Sequence, residues 1–349
     1  MHSLSVTALA VAVLVLAGCG ELDEEDSGVA DEDPRPAALY LAGDGEMWVV
    51  DPDAEQAERI KMPALSAGDP PHRVEAIGDQ LALWGYDVFT VPVNDPSARP
   101  RTIAKDGWIF IPATDPDRIW VGFLSEEGSN RQRRLRELKE IDSDGDVITS
   151  GVEAPGGAWP FAEATSGLIF TGEAGIELWD PDSGRLVRTF SWRQIGDIGP
   201  VSGDIAAGCP DDECEELILT DLGTAQQQRF PAPEGLQFAV FEGSFSPDGE
   251  TLAVPVFPSR GGWRSYSTQG RQLALVSLAN GQTEIIAGPE TPPGYTFTEW
   301  SPDGTQVFTT GGERFQSRTL VSYRLGDERA ERIDAQVGDF YDMAVAASP

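Results

Sequence analysis

Cys209 and Cys214 flank Pro210-Asp211-Asp212-Glu213. This spacing sets them at the end of one strand and the start of the next, where a disulfide would close a small hairpin loop and add about 2 kcal/mol in loop-entropy terms. A redox or zinc role would need a second Cys pair or a nearby His to complete a site, and the sequence offers neither. Histidine occurs only at positions 2 and 72. A Ser-His-Asp triad or a His-rich metal centre would therefore rest on His72 alone, for which a hydrogen bond at a unit boundary is the simpler role. Asp142-Ser143-Asp144-Gly145-Asp146 offers oxygen ligands around a Gly turn, as a calcium loop does. It lacks the EF-hand spacing and closing Glu, so it reads as a strand-connecting turn, as do Asp51-Pro52-Asp53 and Asp180-Pro181-Asp182. The 58 Asp and Glu are too numerous to mark an acid and base pair. No catalytic residue, metal site or cofactor is assigned.

The basic residues are more selective. Arg131, Arg133, Arg134 and Arg136 form the densest basic cluster in an acidic chain, and Arg260, Trp263, Arg264 and Tyr266 stand together among glycines. Arginine forks suit carboxylate or phosphate groups, and arginine beside exposed aromatics is the composition of protein interfaces. These eight residues are the candidate partner-binding set, with Phe315, Arg314, Trp159 and Trp192 as possible neighbours. The competing reading is that the arginines pair with surrounding Asp and Glu as solvated ion pairs of little energy.

What positions such residues is written in composition and spacing. The 349 residues carry 25 Lys and Arg against 58 Asp and Glu, a formal charge of −33, which disfavours nucleic acid as a partner. Gly 38 and Pro 26 are too many for a helical bundle and are spread along the chain, so turns are frequent. Residues 1 to 20 contain no Asp, Glu, Lys or Arg, and Val6 to Ala17 is an apolar run of the length of a secretory h-region. The run ends in Leu16-Ala17-Gly18-Cys19, which resembles the bacterial lipoprotein box. The resemblance implies cleavage of a signal peptide, residues 1–18, before Cys19 and a diacylglycerol on its sulfur. Two acyl chains would hold the protein at a membrane where one holds it only marginally. The usual basic residues before the run are missing. Glu21 to Asp33 then carries eight acidic residues and no basic one, and reads as part of an extended tether, residues 19–36.

From Ala37 onward short apolar runs alternate with Gly, Pro, Asp and Asn, which predicts an all-β domain over 37–349. Phe245-Ser246-Pro247-Asp248-Gly249 precedes Thr251-Leu252-Ala253-Val254, and Trp300-Ser301-Pro302-Asp303-Gly304 precedes Gln306-Val307-Phe308-Thr309. Pro presets φ, Asp bonds back to the backbone and Gly accepts positive φ, so each spells a tight turn between two strands. These segments resemble TolB-type and WD40-like β-propeller repeats, and Ile176-Glu177-Leu178-Trp179-Asp180 looks like the end of a third strand in a WD40 blade. Looser copies lie at Trp48–Asp51, Leu138–Asp142, Leu217–Asp221 and Leu275–Gly281. Second strands are expected to start near 39, 80, 118, 168, 204, 251 and 306, a mean spacing of about 44 residues that fits a propeller repeat.

Seven markers predict seven blades, with six or eight as alternatives, and a last strand at Phe340–Ala346 that completes the N-terminal blade. The long insertions near 124–134 and 257–270 are both second-to-third-strand loops and should share one face. The expected function is that of a non-catalytic, membrane-anchored extracytoplasmic binding module for an envelope protein or an anionic surface component. The alternative is an envelope enzyme of the polysaccharide lyase or hydrolase type working in the central channel; shifted carboxylate pKa values there would favour it. The repeat resemblance also suggests a TolB-like accessory to an envelope transport machine.

Overall fold

The computed structural model describes residues 37–43, 46–62, 73–85, 87–124, 135–156, 158–173, 175–211, 213–259, 270–292, 296–312 and 318–347. Strands β1 (Ala37–Gly43), β2 (Glu46–Asp51) and β3 (Gln56–Lys61) open the chain. Blade 2 follows with β4 (Arg73–Ile77), β5 (Gln80–Trp84), β6 (Val88–Pro92) and β7 (Arg101–Ala104), and blade 3 with β8 (Gly107–Pro112), β9 (Arg118–Leu124), β10 (Leu135–Asp142) and β11 (Val147–Val152). Blade 4 holds β12 (Trp159–Ala164), β13 (Gly167–Gly172), β14 (Gly175–Asp180) and β15 (Arg185–Ser191). A one-turn helix, α1 (Trp192–Ile195), leads from it into blade 5, formed by β16 (Asp197–Ser202), β17 (Ile205–Cys209), β18 (Glu216–Asp221) and β19 (Gln227–Pro231). Blade 6 comprises β20 (Leu236–Phe238), β21 (Ser244–Phe245), β22 (Thr251–Pro258), β23 (Gln272–Ser277) and β24 (Thr283–Ile285); blade 7 comprises β25 (Thr298–Trp300), β26 (Gln306–Gly311), β27 (Thr319–Arg324) and β28 (Glu331–Ile333). The last strand, β29 (Asp342–Ala347), pairs antiparallel with β1, so the first sheet runs β29-β1-β2-β3.

These seven antiparallel sheets form a seven-bladed β-propeller closed by its own C-terminal strand. The first strands touch one another around the ring: β29 meets β4, β8 meets β12, β12 meets β16, β16 meets β21, β21 meets β25 and β25 meets β29. They therefore line the axis, and β3, β7, β11, β15, β19, β24 and β28 lie at the rim. The expected second strands are observed within two residues, starting at 37, 80, 118, 167, 205, 251 and 306.

The core explains the apolar runs. A blade between two others buries both faces of its sheet, so its second strand reads as continuous hydrophobic sequence: β1, Ala37–Gly43, is buried at every residue. The buried side chains fall into seven clusters, one in each gap between adjacent blades. Tyr40 with Leu81 and Phe89 fills the gap between blades 1 and 2, and Leu39 with Phe308 and Leu320 closes the gap between 7 and 1. Tyr40 also donates its hydroxyl to the Val93 carbonyl at 3.1 Å across the first gap.

The Ser-Pro-Asp-Gly turns behave as their spelling demands. Gly249 and Gly304 sit at φ +70°, and each donates its N–H to the serine carbonyl three residues earlier, at 2.8 and 2.9 Å. Ser246 Oγ donates to Asp248 while accepting the Thr251 N–H at 3.0 Å. Ser301 does the same with Asp303 and the Gln306 N–H. Blade 6 is the irregular one: its first strand is broken by a 3-10 turn at Val240–Glu242 into β20 and β21, both of which pair with β22.

Candidate functional site

Because strands alternate direction, first-to-second turns emerge at one end of the ring, whereas second-to-third loops and blade-to-blade connections emerge at the other. The insertions of blades 3 and 6 lie between β9 and β10 and between β22 and β23, which places both at the second end. Arg131, Arg133, Arg134, Arg260, Trp263, Arg264 and Tyr266 lie outside the described residues, as do Cys19, His72, Arg314 and Phe315. Arg136 is described and exposed, and it forms an ion pair with its neighbour Glu137 at 2.8 Å. Trp192 lies in the connection between blades 4 and 5, where it begins α1, whereas Trp159 is the first residue of β12 rather than part of a connection.

Two arginines that composition alone did not single out hold the roots of these loops. Arg271 follows the blade 6 insertion, is fully buried, and pairs with Glu242 and the Thr296 hydroxyl. Its backbone exchanges two 2.9 Å hydrogen bonds with Thr291. Arg318 begins the return into blade 7, its guanidinium stacked between the rings of Phe297 and Phe340, 4.9 Å from each centroid. In blade 5 the second-to-third loop is closed by the Cys209–Cys214 disulfide, with Cα atoms 5.0 Å apart and both residues buried. The Cys214 carbonyl accepts the Phe238 N–H at 3.0 Å, which ties the bridge to blade 6.

The Asp142–Asp146 segment is a turn that uses its own oxygens. Asp142 accepts the Asp146 N–H at 2.8 Å, Gly145 takes φ +78°, and Asp144 faces Arg101 at 3.4 Å. Among the described residues no group of three or more His, Cys, Asp or Glu is placed to hold a metal ion.

The channel mouth on the loop face gathers groups far apart in sequence. Asp342, first residue of β29, accepts the Val74 N–H at 3.1 Å and lies 3.6 Å from Arg73 Nε. Arg73 in turn donates to the Phe110 carbonyl at 3.1 Å, with its guanidinium 4.8 Å from the Phe110 ring centroid, which links blades 1, 2 and 3. Glu75 stands opposite Ala82 on the third residue of β5, and Glu299 stands opposite Phe308 on the third residue of β26, so they occupy equivalent levels in blades 2 and 7. Burial, then the charge of Asp342, pushes the Glu75 carboxyl up to about 7 against the pull of Arg73. Burial, reinforced by Glu75 and Asp342, holds Glu299 well above the carboxylate range. Asp342 is also raised by burial, although Arg73 and two backbone N–H groups oppose it. A carboxyl raised to about 7, as at Glu75, can donate hydrogen bonds to hydroxyls or act as a general acid. On the same end, Trp108 and Trp159 on the innermost strands of blades 3 and 4 are 37% and 44% exposed.

The fold is a β-propeller whose axial strands bring Arg73, Glu75, Glu299 and Asp342 of three blades together. No protein family and no curated protein matches the sequence. Solved structures do: a provisionally assigned 6-phosphogluconolactonase from Bacteroides fragilis matches at 11% identity and a TM-score of 0.52, covering 89% of this chain and 98% of that one. AztD from Citrobacter koseri matches at 10% identity and 0.50, over 88% and 97%. TolB from Acinetobacter baumannii matches at 16% and 0.44, over 89% and 82%. At such identities the likeness establishes the fold alone.

Proposed function

We propose that this protein is a membrane-anchored, extracytoplasmic lipoprotein whose propeller is a non-catalytic binding module, docking an envelope partner on the loop face. One observation carries the reading: the second-to-third loops of blades 5, 6 and 7 are rooted there by the disulfide, the Arg271–Glu242 pair and the Arg318 stack, around a mouth with exposed Trp108 and Trp159. The anchor rests on the Leu16-Ala17-Gly18-Cys19 box and is tested by mass spectrometry of the mature N-terminus, where an unmodified Cys19 refutes it. Docking is tested by crosslinking and capture from native membranes, comparing the wild type with a variant carrying Glu at positions 131, 133, 134 and 136. A specific protein captured by the wild type and lost by the folded variant supports docking; identical capture by both removes the arginine face.

The raised carboxyls of Glu75, Glu299 and Asp342 favour a second reading, an envelope lyase or hydrolase acting on a polysaccharide in the channel. Turnover of envelope glycans that is abolished by Glu75→Gln or Glu299→Gln, with binding retained, would decide for it.

A further inference from the structure

A groove of about 540 Å³ lies between blades 3 and 4, with no axial-strand residue in its walls and a volume that suits a small-molecule ligand. One wall is residues 150–156, the end of β11 and the connection that follows it; the other is the β14–β15 turn, residues 181–184, with Trp179 beside it. A β-bulge shapes the first wall. β10 pairs Leu138 with Val152 and Glu140 with Thr149, so that Ser150 and Gly151 together stand against Lys139, and Gly151 takes φ +76°. Asp180 fixes the second wall: its carboxylate accepts the N–H groups of Asp182 and Ser183 and the Ser183 hydroxyl, at 3.0, 3.4 and 2.6 Å, and its carbonyl accepts the Gly184 N–H at 2.9 Å. A Cβ added at Gly151, Gly156 or Gly184 would meet nothing within 4 Å, so bare backbone borders open space on both walls.

Three side chains give the groove its chemistry. Trp179 is half-buried: it packs against the core cluster that holds Trp120, Leu168 and Phe170, and it also lines the groove. Its indole N–H is already donated to Glu177 at 3.0 Å, so what it offers a ligand is an apolar ring. Glu153 on the first wall and Asp182 on the second are exposed, and neither forms a hydrogen bond or ion pair among the described residues. No lysine or arginine lines the groove, which disfavours an anion. Ionised carboxylates only accept hydrogen bonds, so a ligand must bring donors to both walls and an apolar face to the indole. A pyranose ring has both, with hydroxyls around its rim and C–H groups on its faces. A guanidinium also donates and stacks, but a single arginine side chain fills only a small part of this volume. We propose that the groove is a saccharide-binding site, in which a ring of a neutral oligosaccharide lies on Trp179 and its hydroxyls donate to Glu153 and Asp182. The site is separate from the loop face and from the channel, and stands whether or not either of those binds a partner.

Calorimetric titration of the full chain with cellotetraose, maltotetraose and the N-acetylglucosamine tetramer, in a detergent without a sugar headgroup, tests this. At least one of the three saturates the wild type at millimolar concentration or below. Glu153→Ala and Asp182→Ala, at exposed positions without partners, each weaken that binding about tenfold. Trp179→Ala abolishes it and Trp179→Phe keeps most of it. Glu328→Ala, which removes an exposed carboxylate on blade 7, leaves it unchanged. Failure of all three sugars to saturate overturns the proposal, as does binding that survives both carboxylate variants. Saturation by a tetra-arginine peptide and by none of the sugars also overturns it, and assigns the groove to a basic segment instead.

Discussion

The two ends of the ring satisfy their polar groups in different ways. At the turn end, Ser301, Asp303 and Gln306 settle one another's hydrogen bonds within six residues. Burial pushes Asp303 up, but the Ser301 hydroxyl and the Thr305 N–H and hydroxyl outweigh it and hold the carboxyl below its ordinary value. At Asp248 the Ser246 hydroxyl and the Glu250 N–H have the same effect. At the loop end the Arg136–Glu137 pair and the Cys209–Cys214 bridge are local, but the buried polar anchors find distant partners. Arg271 finds Glu242, Arg318 finds Phe297 and Phe340, and Asp342 accepts an N–H from residue 74. Glu75 and Glu299 find burial and like charge, and go up. The Ser-Pro-Asp-Gly turns are assembled by local sequence, although other turns at that end also reach a neighbouring blade, as Ser166 does to Asp204; the buried anchors of the loop end exist only when the ring does.

If that contrast is right, the largest losses come from long-range anchors. Arg271→Ala leaves Glu242 buried beside a missing cation and should cost about 3–5 kcal/mol, read from the urea midpoint. Replacing both Cys209 and Cys214 by Ser should cost about 2 kcal/mol by the same measurement. A turn should matter less: Asp303→Ala, which frees the Thr305 N–H to water, should cost about 1 kcal/mol, visible as a small fall in Tm. A cost for Asp303→Ala equal to that for Arg271→Ala would erase the contrast.

The finest test is the sign of a pH dependence. A carboxyl whose folded pKa lies above its unfolded value contributes stability below the unfolded value, and that contribution is lost as pH rises through the folded one. For Glu75 the window runs from its ordinary 4.5 to about 7. Glu75→Gln should therefore melt above the wild type at about pH 8 and lose the advantage as pH falls toward about 4.5. An advantage that grows on acidification would mean that Glu75 is ionised and stabilised in the folded protein.

The same contrast decides what could be read in advance. Seven second strands and the closing strand were legible because turns such as Ser246-Pro247-Asp248-Gly249 encode their geometry in four consecutive residues, and because strands buried on both faces spell themselves as apolar runs. The disulfide was legible from two cysteines five positions apart. The mouth was not. Glu75, Glu299 and Asp342 are three of 58 acidic residues, and nothing near them distinguishes them from surface carboxylates until three blades converge. Arg271 and Arg318 were missed for the converse reason: in sequence nothing sets them apart from the other arginines near the insertions, and only the partners brought by blades 6 and 7 bury them. The broken first strand of blade 6 was also invisible, since Leu236–Phe238 and Ser244–Phe245 are each too short to announce a strand.

The β1–β29 pairing has a consequence for synthesis. Ala42 hydrogen-bonds in register with Asp342, the two standing at opposite ends of the chain. Six blades can be complete while the first still lacks its axial strand, and contacts so distant in sequence form slowly. Until β29 is synthesised the ring has a gap along its axis, with β1 offering an unpaired, apolar edge. A stop just before β29 would leave seven blades' worth of strands with the ring open, so that this strand decides whether a nascent chain closes or exposes an edge prone to aggregation.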